Sequence, residues 1–291
     1  WSVTGVQTCA LPICFSYEGL VSDDRLTAPM IREDGEWVEA DWDEALQLAA
    51  AEIKRSLDSG AGEEDAGSGD ASSKLAALVS PSSTLEEMYL LQKLMRALGS
   101  GSIDHRLRQS DFSDQETAPI IPWLGQDIEN LESIDAALLI GSNTRKEQPI
   151  ANHRLRKAAV NNGAQISFIN AREYDFNFPL ANSIAVAQQQ LSQELAALAA
   201  AAFSASAEKA PSSIANAVSK ASPNETHKAI VQQLSQGQNT TVLLGNQAAM
   251  HPSFAVLRAL AAAIATQTDS IFGYLSDGSN SAGAWLAGAV P

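Results

Sequence analysis

The sequence predicts an α/β fold in which parallel or mixed sheets are flanked by helices. Three observations carry that prediction. Apolar runs of strand length, such as residues 134–140 (IDAALLI) and 165–170 (QISFIN), are continuous rather than alternating, as in strands buried on both faces. Between them lie longer segments with apolar residues at helical spacing. Gly99, Gly141 and Asn162-Gly163 punctuate the boundaries, where a helix or strand has to stop.

Taken in order, residues 32–40 (REDGEWVEA) set Asp34-Gly35 between two short extended runs, a hairpin signal. Asp41 and Glu44 have capping-box spacing. The helix they start carries Leu46, Ala49, Ala50, Ile53 and Leu57 inward and ends near Leu57. Residues 15–57 thus form an entry hairpin and helix. Residues 58–73 (DSGAGEEDAGSGDASS) contain no large apolar residue. They cannot bury enough surface to offset their ordering entropy, so a disordered acidic insert is expected.

From residue 74 onward a βα rhythm sets in and defines one α/β domain to residue 291. Residues 75–79 are a short apolar run. Thr84 and Glu87 cap a helix that turns Leu85, Met88, Leu91, Met95 and Leu98 inward before Gly99. The strand over 134–140 ends at Gly141, a helix over 149–161 follows, and residues 165–170 are the next strand. Helices are expected at 189–204 and 226–234, with a looser Ala/Ser-rich segment between them. Strand 241–244, helix 252–267 and strand 271–275 complete the series. No repeat of fixed period occurs. The chain stops at Ala289-Val290-Pro291 without winding down, so truncation at the C-terminus is expected.

Acids outnumber bases 34 to 19, giving a formal charge of -15. Such a field repels phosphate backbones and anionic lipid, which argues against nucleic-acid and membrane-surface roles. No apolar run reaches the roughly 18 residues needed to span a bilayer, so no direct membrane insertion is expected.

The chain opens WSVTGVQTCALPICF, which holds both of its cysteines, Cys9 and Cys14. A signal peptide is disfavoured, because residues 1–14 lack Lys and Arg and polar residues interrupt the apolar ones. A tetrahedral metal site is also disfavoured, because two cysteines cannot complete it and the nearest histidine is His105. At the level of the genetic code, residues 3–13 (VTGVQTCALPI) match one frame of a common sequencing-library adapter. Residues 1–14 are therefore read as a non-native, adapter-derived segment with Cys14 at the junction. Val6, Leu11 and Ile13 are then expected to have no packing role.

In parallel sheets ligands bind beyond the carboxyl ends of the strands. The loops there are residues 80–84 (SPSST), 141–144 (GSNT), 170–175 (NAREYD), 245–251 (GNQAAMH) and 276–283 (SDGSNSAG). All are small and polar, which turns and caps also require. No G-x-G-x-x-G follows the first strand and no P-loop is present. His105, His153, His227 and His251 show no metal-ligand spacing and read as surface or hydrogen-bonded residues. Ser142, Ser253 and Ser281 lack a nucleophile elbow. Asp104-His105-Arg106 reads as an exposed ion-pair cluster rather than a catalytic one, as do Arg172, Glu173 and Asp175. No catalytic residue and no metal ligand is assigned in this segment.

Residues 15–46 (FSYEGLVSDDRLTAPMIREDGEWVEADWDEAL) resemble the entry to the molybdopterin-oxidoreductase fold. Residues 104–112 (DHRLRQSDF), 137–143 (ALLIGSN), 243–252 (LLGNQAAMHP) and 278–291 (GSNSAGAWLAGAVP) narrow the resemblance. Together they look like the large iron–sulfur subunit of bacterial NADH-quinone oxidoreductases (respiratory complex I). The resemblance implies a non-catalytic part of the peripheral arm, on the cytoplasmic side of the bacterial inner membrane. Its partners would be other peripheral-arm subunits. The parent's 2Fe-2S and 4Fe-4S clusters would be bound upstream, with no cofactor in this segment. Cys14 falls where that family has an Arg, out of register for a cluster ligand. Related molybdenum enzymes supply a Cys, selenocysteine, Ser or Asp to the metal, and Asp104, His105, Ser110 and Asp111 lie in the corresponding loop. Gly141, Ser142, Asn143, Asn170 and Arg172 correspond to pterin-facing positions, read here as vestigial. Two rival readings are a working molybdopterin-dependent oxidoreductase related to formate dehydrogenase, and a stand-alone small-molecule-binding α/β domain.

Overall fold

The computed structural model describes residues 19, 21–58, 75–108, 110–116, 121–206 and 208–291. Residues 1–14, read above as adapter-derived, and residues 59–73 of the acidic insert lie outside the described residues, and so does the expectation for Val6, Leu11 and Ile13. Two compact units are present and are taken separately.

The first unit comprises the described residues of 1–77 with 95–102. Strands β1 (Met30–Glu33) and β2 (Glu36–Glu39) pair antiparallel with Glu33 opposite Glu36. A two-residue turn of this hand needs left-handed backbone at both positions, which Asp34 (φ 47°) and Gly35 (φ 92°) supply. The Asp41 carboxylate accepts the Glu44 N–H at 2.8 Å and starts α1 (Trp42–Asp58). The inward face expected for α1 is not buried: Leu46 is 60% exposed and no residue of the helix is buried. The stripe exists, but strands of 4 residues give this unit too little surface to cover a helix of 17 residues.

The second unit comprises the described residues of 78–94 with 103–291. The run at 75–79 gives only the short strand β3 (Ala77–Leu78), paired with β4 (Ile103–Asp104), and the Val79 N–H donates to the Asp104 carbonyl at 3.0 Å. Between them runs α2 (Leu85–Ala97). Its capping box is reciprocal: the Thr84 N–H donates to Glu87 Oε2 at 2.8 Å and the Glu87 N–H to Thr84 Oγ1 at 3.2 Å. Met88 and Met95 are buried as expected, whereas Leu85, in the first turn, stays exposed.

The body of this unit is a five-stranded parallel sheet of order β7-β6-β5-β8-β9. Its strands are β5 (Ala136–Ile140), β6 (Gln165–Asn170), β7 (Asn182–Ala185), β8 (Thr240–Leu244) and β9 (Ile271–Tyr274). Connecting them are α3 (Thr144–Glu147), α4 (Pro149–Asn162), α5 (Leu191–Ser206), α6 (Ser212–Lys220), α7 (Glu225–Gln236), α8 (Asn246–Ala249) and α9 (Phe254–Gln267), with α10 (Ser281–Leu286) after β9.

Alternate residues of β5 feed opposite cores, which is why its sequence is apolar throughout. Leu138 and Ile140 join Leu195, Leu198, Leu257 and Ile264 on one face. Ala137 and Leu139 join Leu155, Ala158, Phe168 and Phe176 on the other, where the last two rings stack with centroids 3.8 Å apart. Each fully buried Leu or Ile contributes roughly 1.5–3 kcal/mol of transfer free energy.

Two elements differ from the sequence expectation. The segment expected to be loose contains α6, a weakly apolar helix that buries only Ile214. Strand β7 was not expected, because NSIA at the sheet edge has no apolar run to announce it.

From β5 the chain winds outward to β6 and β7 on one side, then returns to β8 and β9 on the other. The order reverses beside β5. The ligand crevice of such a sheet lies there, beyond the carboxyl ends of β5 and β8.

Candidate functional site

Two surfaces meet at the carboxyl ends of the strands. The first lies over β5 and β6 and is closed by the protein itself. Gly141 ends β5 at φ 61°, and a Cβ on it would lie 2.4 Å from the Ala248 nitrogen. Its carbonyl accepts the N–H groups of Gln247 (2.9 Å) and Ala248 (3.3 Å), so α8 folds directly onto the strand end. Gly245 is equally confined, since a Cβ there would lie 2.4 Å from Ser142 Cβ. Gln247 ties neighbouring loops together: its Nε2 donates to Glu147 at 3.2 Å and its Oε1 accepts the Tyr174 hydroxyl at 3.1 Å.

The sequence-selected residues Gly141, Ser142, Asn143 and Asn170 converge on this closed crest. The Ser142 N–H donates to Asn170 Oδ1 at 2.8 Å. Ser142 Oγ and Asn143 Oδ1 are buried without a hydrogen-bond partner among the described residues. Arg172 stands apart, exposed, with its guanidinium 5.1 Å from the centre of the Tyr174 ring. Asp175 pairs with Arg145 at 2.7 Å in an exposed position, in keeping with the surface reading of that cluster.

The second surface is a cavity of about 140 Å³ beyond β8 and β9. Residues from 105–108 and 110–115 and the loops after β3, β8 and β9 build it. The loops are fixed to one another: the Asn280 N–H donates to the Pro81 carbonyl at 2.8 Å, and Asn280 Nδ2 donates to the Ser83 carbonyl at 2.8 Å. Neither Ser142 nor Asn143 reaches this cavity.

Three Arg–Asp pairs frame it. Arg106 donates to both oxygens of Asp104, from Nε at 2.8 Å and from its terminal nitrogen at 3.0 Å. Arg108 donates to Asp277 at 3.2 Å. Arg258 forks onto Asp114, with Nε to Oδ2 at 3.0 Å. The Arg106 guanidinium lies 4.1 Å from the Phe112 ring centre and 5.3 Å from that of Trp285. The Asp104-His105-Arg106 group is therefore not exposed, contrary to its sequence reading: the Arg106 side chain is 13% exposed and His105 2%. The flanking rings account for the difference: Phe112, close in sequence, and Trp285, remote from it.

His105 Nδ1 donates to the Ala289 carbonyl at 2.9 Å, which fixes the proton on that nitrogen. Burial pushes its pKa below 6.5, against the pull of the Ala289 bond and of Asp104. Burial would raise Asp104, but the hydrogen bonds and charge of Arg106 outweigh it and hold the carboxyl below 3.8. Burial drives the Tyr274 hydroxyl up to about 12, so it stays protonated across the biological range.

Two of the remaining histidines, His227 and His251, are structural. His227 Nε2 meets Glu194 at 2.8 Å while its Nδ1 accepts the Asn224 N–H, closing the α7 cap. His251 Nδ1 accepts the Ser253 backbone N–H at 3.0 Å, so it is not available as a base for that serine. Both are buried rather than superficial; His153 is half-buried. The Ser281 hydroxyl donates to the Asp277 carbonyl. Among the described residues, no serine has the partners of an activated nucleophile. Among the described residues no group of three or more His, Cys, Asp or Glu could hold a metal ion, and no helix is long and apolar enough to cross a membrane.

Sequence reasoning passed over Arg258, Tyr274 and Trp285. Tyr274 and Trp285 look like core residues in IFGYL and AGAWLAG. Arg258 carried a usable signal, as the one charge in FAVLRALAAAIA.

Residues 25–284 match the family model described as Molybdopterin oxidoreductase. A protein of Staphylococcus haemolyticus named for formate dehydrogenase is 32% identical over 167 residues, covering 55% of this chain and 16% of the relative. The alpha subunit of F420-dependent formate dehydrogenase 2 of Methanococcus maripaludis is 32% identical over 168 residues, covering 54% of this chain and 22% of that one. The chain thus spans about a sixth to a fifth of these relatives' length. Among solved structures, acetylene hydratase from Pelobacter acetylenicus superposes with a TM-score of 0.54 at 12% identity, covering 86% of this chain and 37% of that one. The formyltransferase/hydrolase complex of Methylorubrum extorquens gives 0.53 at 13% identity, over 86% of this chain and 61% of that one. These two likenesses concern the fold alone.

The residues present do not fit a molybdenum–pterin group. The strand-end glycines face packed backbone rather than an open cradle. Asp104 and His105 are committed as above, and Asp111 accepts the N–H groups of Ala255 and Ser113, each at 3.0 Å. Ser110, half-buried in the cavity wall, alone among the four candidates has no hydrogen-bond partner among the described residues.

Proposed function

This chain belongs to the molybdopterin oxidoreductase family, and from that premise we propose that it is an α/β scaffold domain of a larger electron-transfer oxidoreductase and performs no chemistry of its own. The observation that carries this reading is the closed crest. Gly141 and Gly245, where such a sheet would offer its ligand surface, are filled by α8 and Ser142. A parent of the NADH-quinone oxidoreductase type suits such a domain. Its clusters would lie upstream, and this segment would brace the cluster-bearing region and contact neighbouring subunits on the cytoplasmic side of the membrane.

A second reading takes the parent as a catalytic, formate dehydrogenase-like oxidoreductase. The relatives give it better support than they give the NADH-quinone reading, because the proteins matched at 30–32% identity include formate dehydrogenases. Ser110, in the cavity wall and without a hydrogen-bond partner among the described residues, is the local feature that favours it.

Metal analysis of the purified full-length parent separates the two. Iron without molybdenum, with NADH-dependent quinone reduction, is the expected result. Stoichiometric molybdenum with extractable pterin, and formate oxidation lost on Ser110→Ala, would overturn the scaffold reading.

A further inference from the structure

We propose that the cavity beyond β8 and β9 is a binding site for a small, neutral, single-ring aromatic molecule bearing one hydrogen-bond acceptor. The inference goes beyond the scaffold reading and does not depend on it.

Size comes first. A cavity near 150 Å³ with apolar walls holds a benzene ring, and this one is about 140 Å³. The wall chemistry comes second. Phe112, Phe254 and Trp285 present aromatic surface and Met250 a thioether, both favourable against another ring.

The charge balance then selects a neutral ligand. Arg106, Arg108 and Arg258 each already hold a carboxylate, and Asp111 is satisfied by backbone N–H groups. A bound carboxylate or ammonium would find no opposite charge uncommitted in the wall. Burying an unpaired charge is strongly unfavourable.

Tyr274 supplies the polar contact. Its side chain lines the cavity and is 8% exposed, and its hydroxyl has no hydrogen-bond partner among the described residues. The charged groups beside it are the Arg258 guanidinium, which can only donate, and the Asp114 carboxylate, which Arg258 already holds. Among the described residues, no acceptor takes the hydroxyl proton. A ligand carbonyl would accept it, which makes Tyr274 a specificity-determining residue rather than an incidental wall.

Three isosteric probes test this on the 291-residue chain by isothermal titration or ligand-observed NMR. Acetophenone carries the ring and the acceptor, isopropylbenzene the ring alone, and benzoate the ring with a charge. Acetophenone is expected to bind about 5–10-fold tighter than isopropylbenzene, the worth of one hydrogen bond, with benzoate weakest. Tyr274→Phe keeps the ring on its contact with Phe272, 5.1 Å away. It should fold, as checked by circular dichroism, and should equalise acetophenone and isopropylbenzene. Ala249→Met, which fills the cavity from α8, should abolish binding of both. Benzoate binding tightest, or acetophenone unaffected by either variant, would overturn the proposal. So would the absence of saturable binding by any probe. None of these outcomes bears on the metal content or activity of the parent, so the proposal and the scaffold reading fail separately.

Discussion

The two halves of the sheet's crest are built from the same kind of loop and end in opposite states. Over β5 and β6, glycine at the strand end lets backbone approach backbone, and α8 seals the crevice. Over β8 and β9, large side chains and two ion pairs between segments, Arg108 with Asp277 and Arg258 with Asp114, span the loops and leave a cavity. Loop composition therefore does not decide whether a crevice is open. Close approach at a few glycines does, and that is a property of the neighbouring segment.

The largest expected effect breaks the closed half. Gly141→Ala must hold a left-handed backbone at φ 61° and push a methyl into the Ala248 backbone. Strain and overpacking together should cost about 3 kcal/mol. Gly163→Ala is the control. It has the same backbone hand at φ 73° but nothing within 4 Å of the new carbon, so it should cost about 1 kcal/mol. Urea melts of both variants measure the difference. Equal losses would mean that α8 does not seal the strand end.

Next comes the open half. Asp104→Asn leaves the Arg106 guanidinium, 13% exposed, without its carboxylate. Breaking a largely buried pair of this kind should cost about 2 kcal/mol, below the range for full burial. Asp175→Asn removes an equally short contact to Arg145 from the solvent side of the closed half and should leave the melt unchanged. The comparison asks whether charge pairs support the cavity walls or merely decorate them.

These contrasts also show what the sequence could convey. Continuous apolar runs made β5, β6, β8 and β9 legible, because both faces of such strands must be dry. Thr84 with Glu87 and Asn162 with Gly163 marked helix ends through local hydrogen bonding and backbone hand. β7 and α6 were not legible, since their burial is set by a neighbouring strand and by α5 and α9 rather than by their own pattern. The α1 stripe was legible but stayed exposed. At the site, Gly141, Ser142, Asn143 and Asn170, which the resemblance set at pterin-facing positions, did come together, but over a sealed crevice. The cavity gathers Pro81, Arg106, Arg258, Tyr274 and Trp285 from segments far apart in the chain, a long-range fact that no local motif encodes.

A smaller effect separates the halves by pH. Burial holds the folded pKa of His105 below 6.5, so as pH falls the unfolded chain takes up its proton first. The stability due to His105 is complete above pH 6.5 and is lost as pH falls through the folded value. Asp104, held below 3.8 by Arg106, contributes stability above 3.8 that is lost at still lower pH. Melting temperature against pH should therefore step down twice. His105→Gln keeps a donor for the Ala289 carbonyl and cannot titrate, so the upper step should vanish while the lower one remains. A step near pH 6.5 that survives in this variant would assign it to another group.

The smallest effect has the opposite sign. Ser142 Oγ is fully buried on the closed crest and has no hydrogen-bond partner among the described residues. A hydroxyl in that position carries its desolvation penalty with nothing to offset it. Ser142→Ala should therefore stabilise the chain by about 1 kcal/mol, with the Asn170 bond to the Ser142 backbone N–H untouched. A loss of stability instead would mean that the hydroxyl has a partner on the crest, and the closed half would then retain a polar contact site of its own. The sign of this one substitution thus tells a sealed crevice from an occupied one, where the larger perturbations report only that the region is tightly packed.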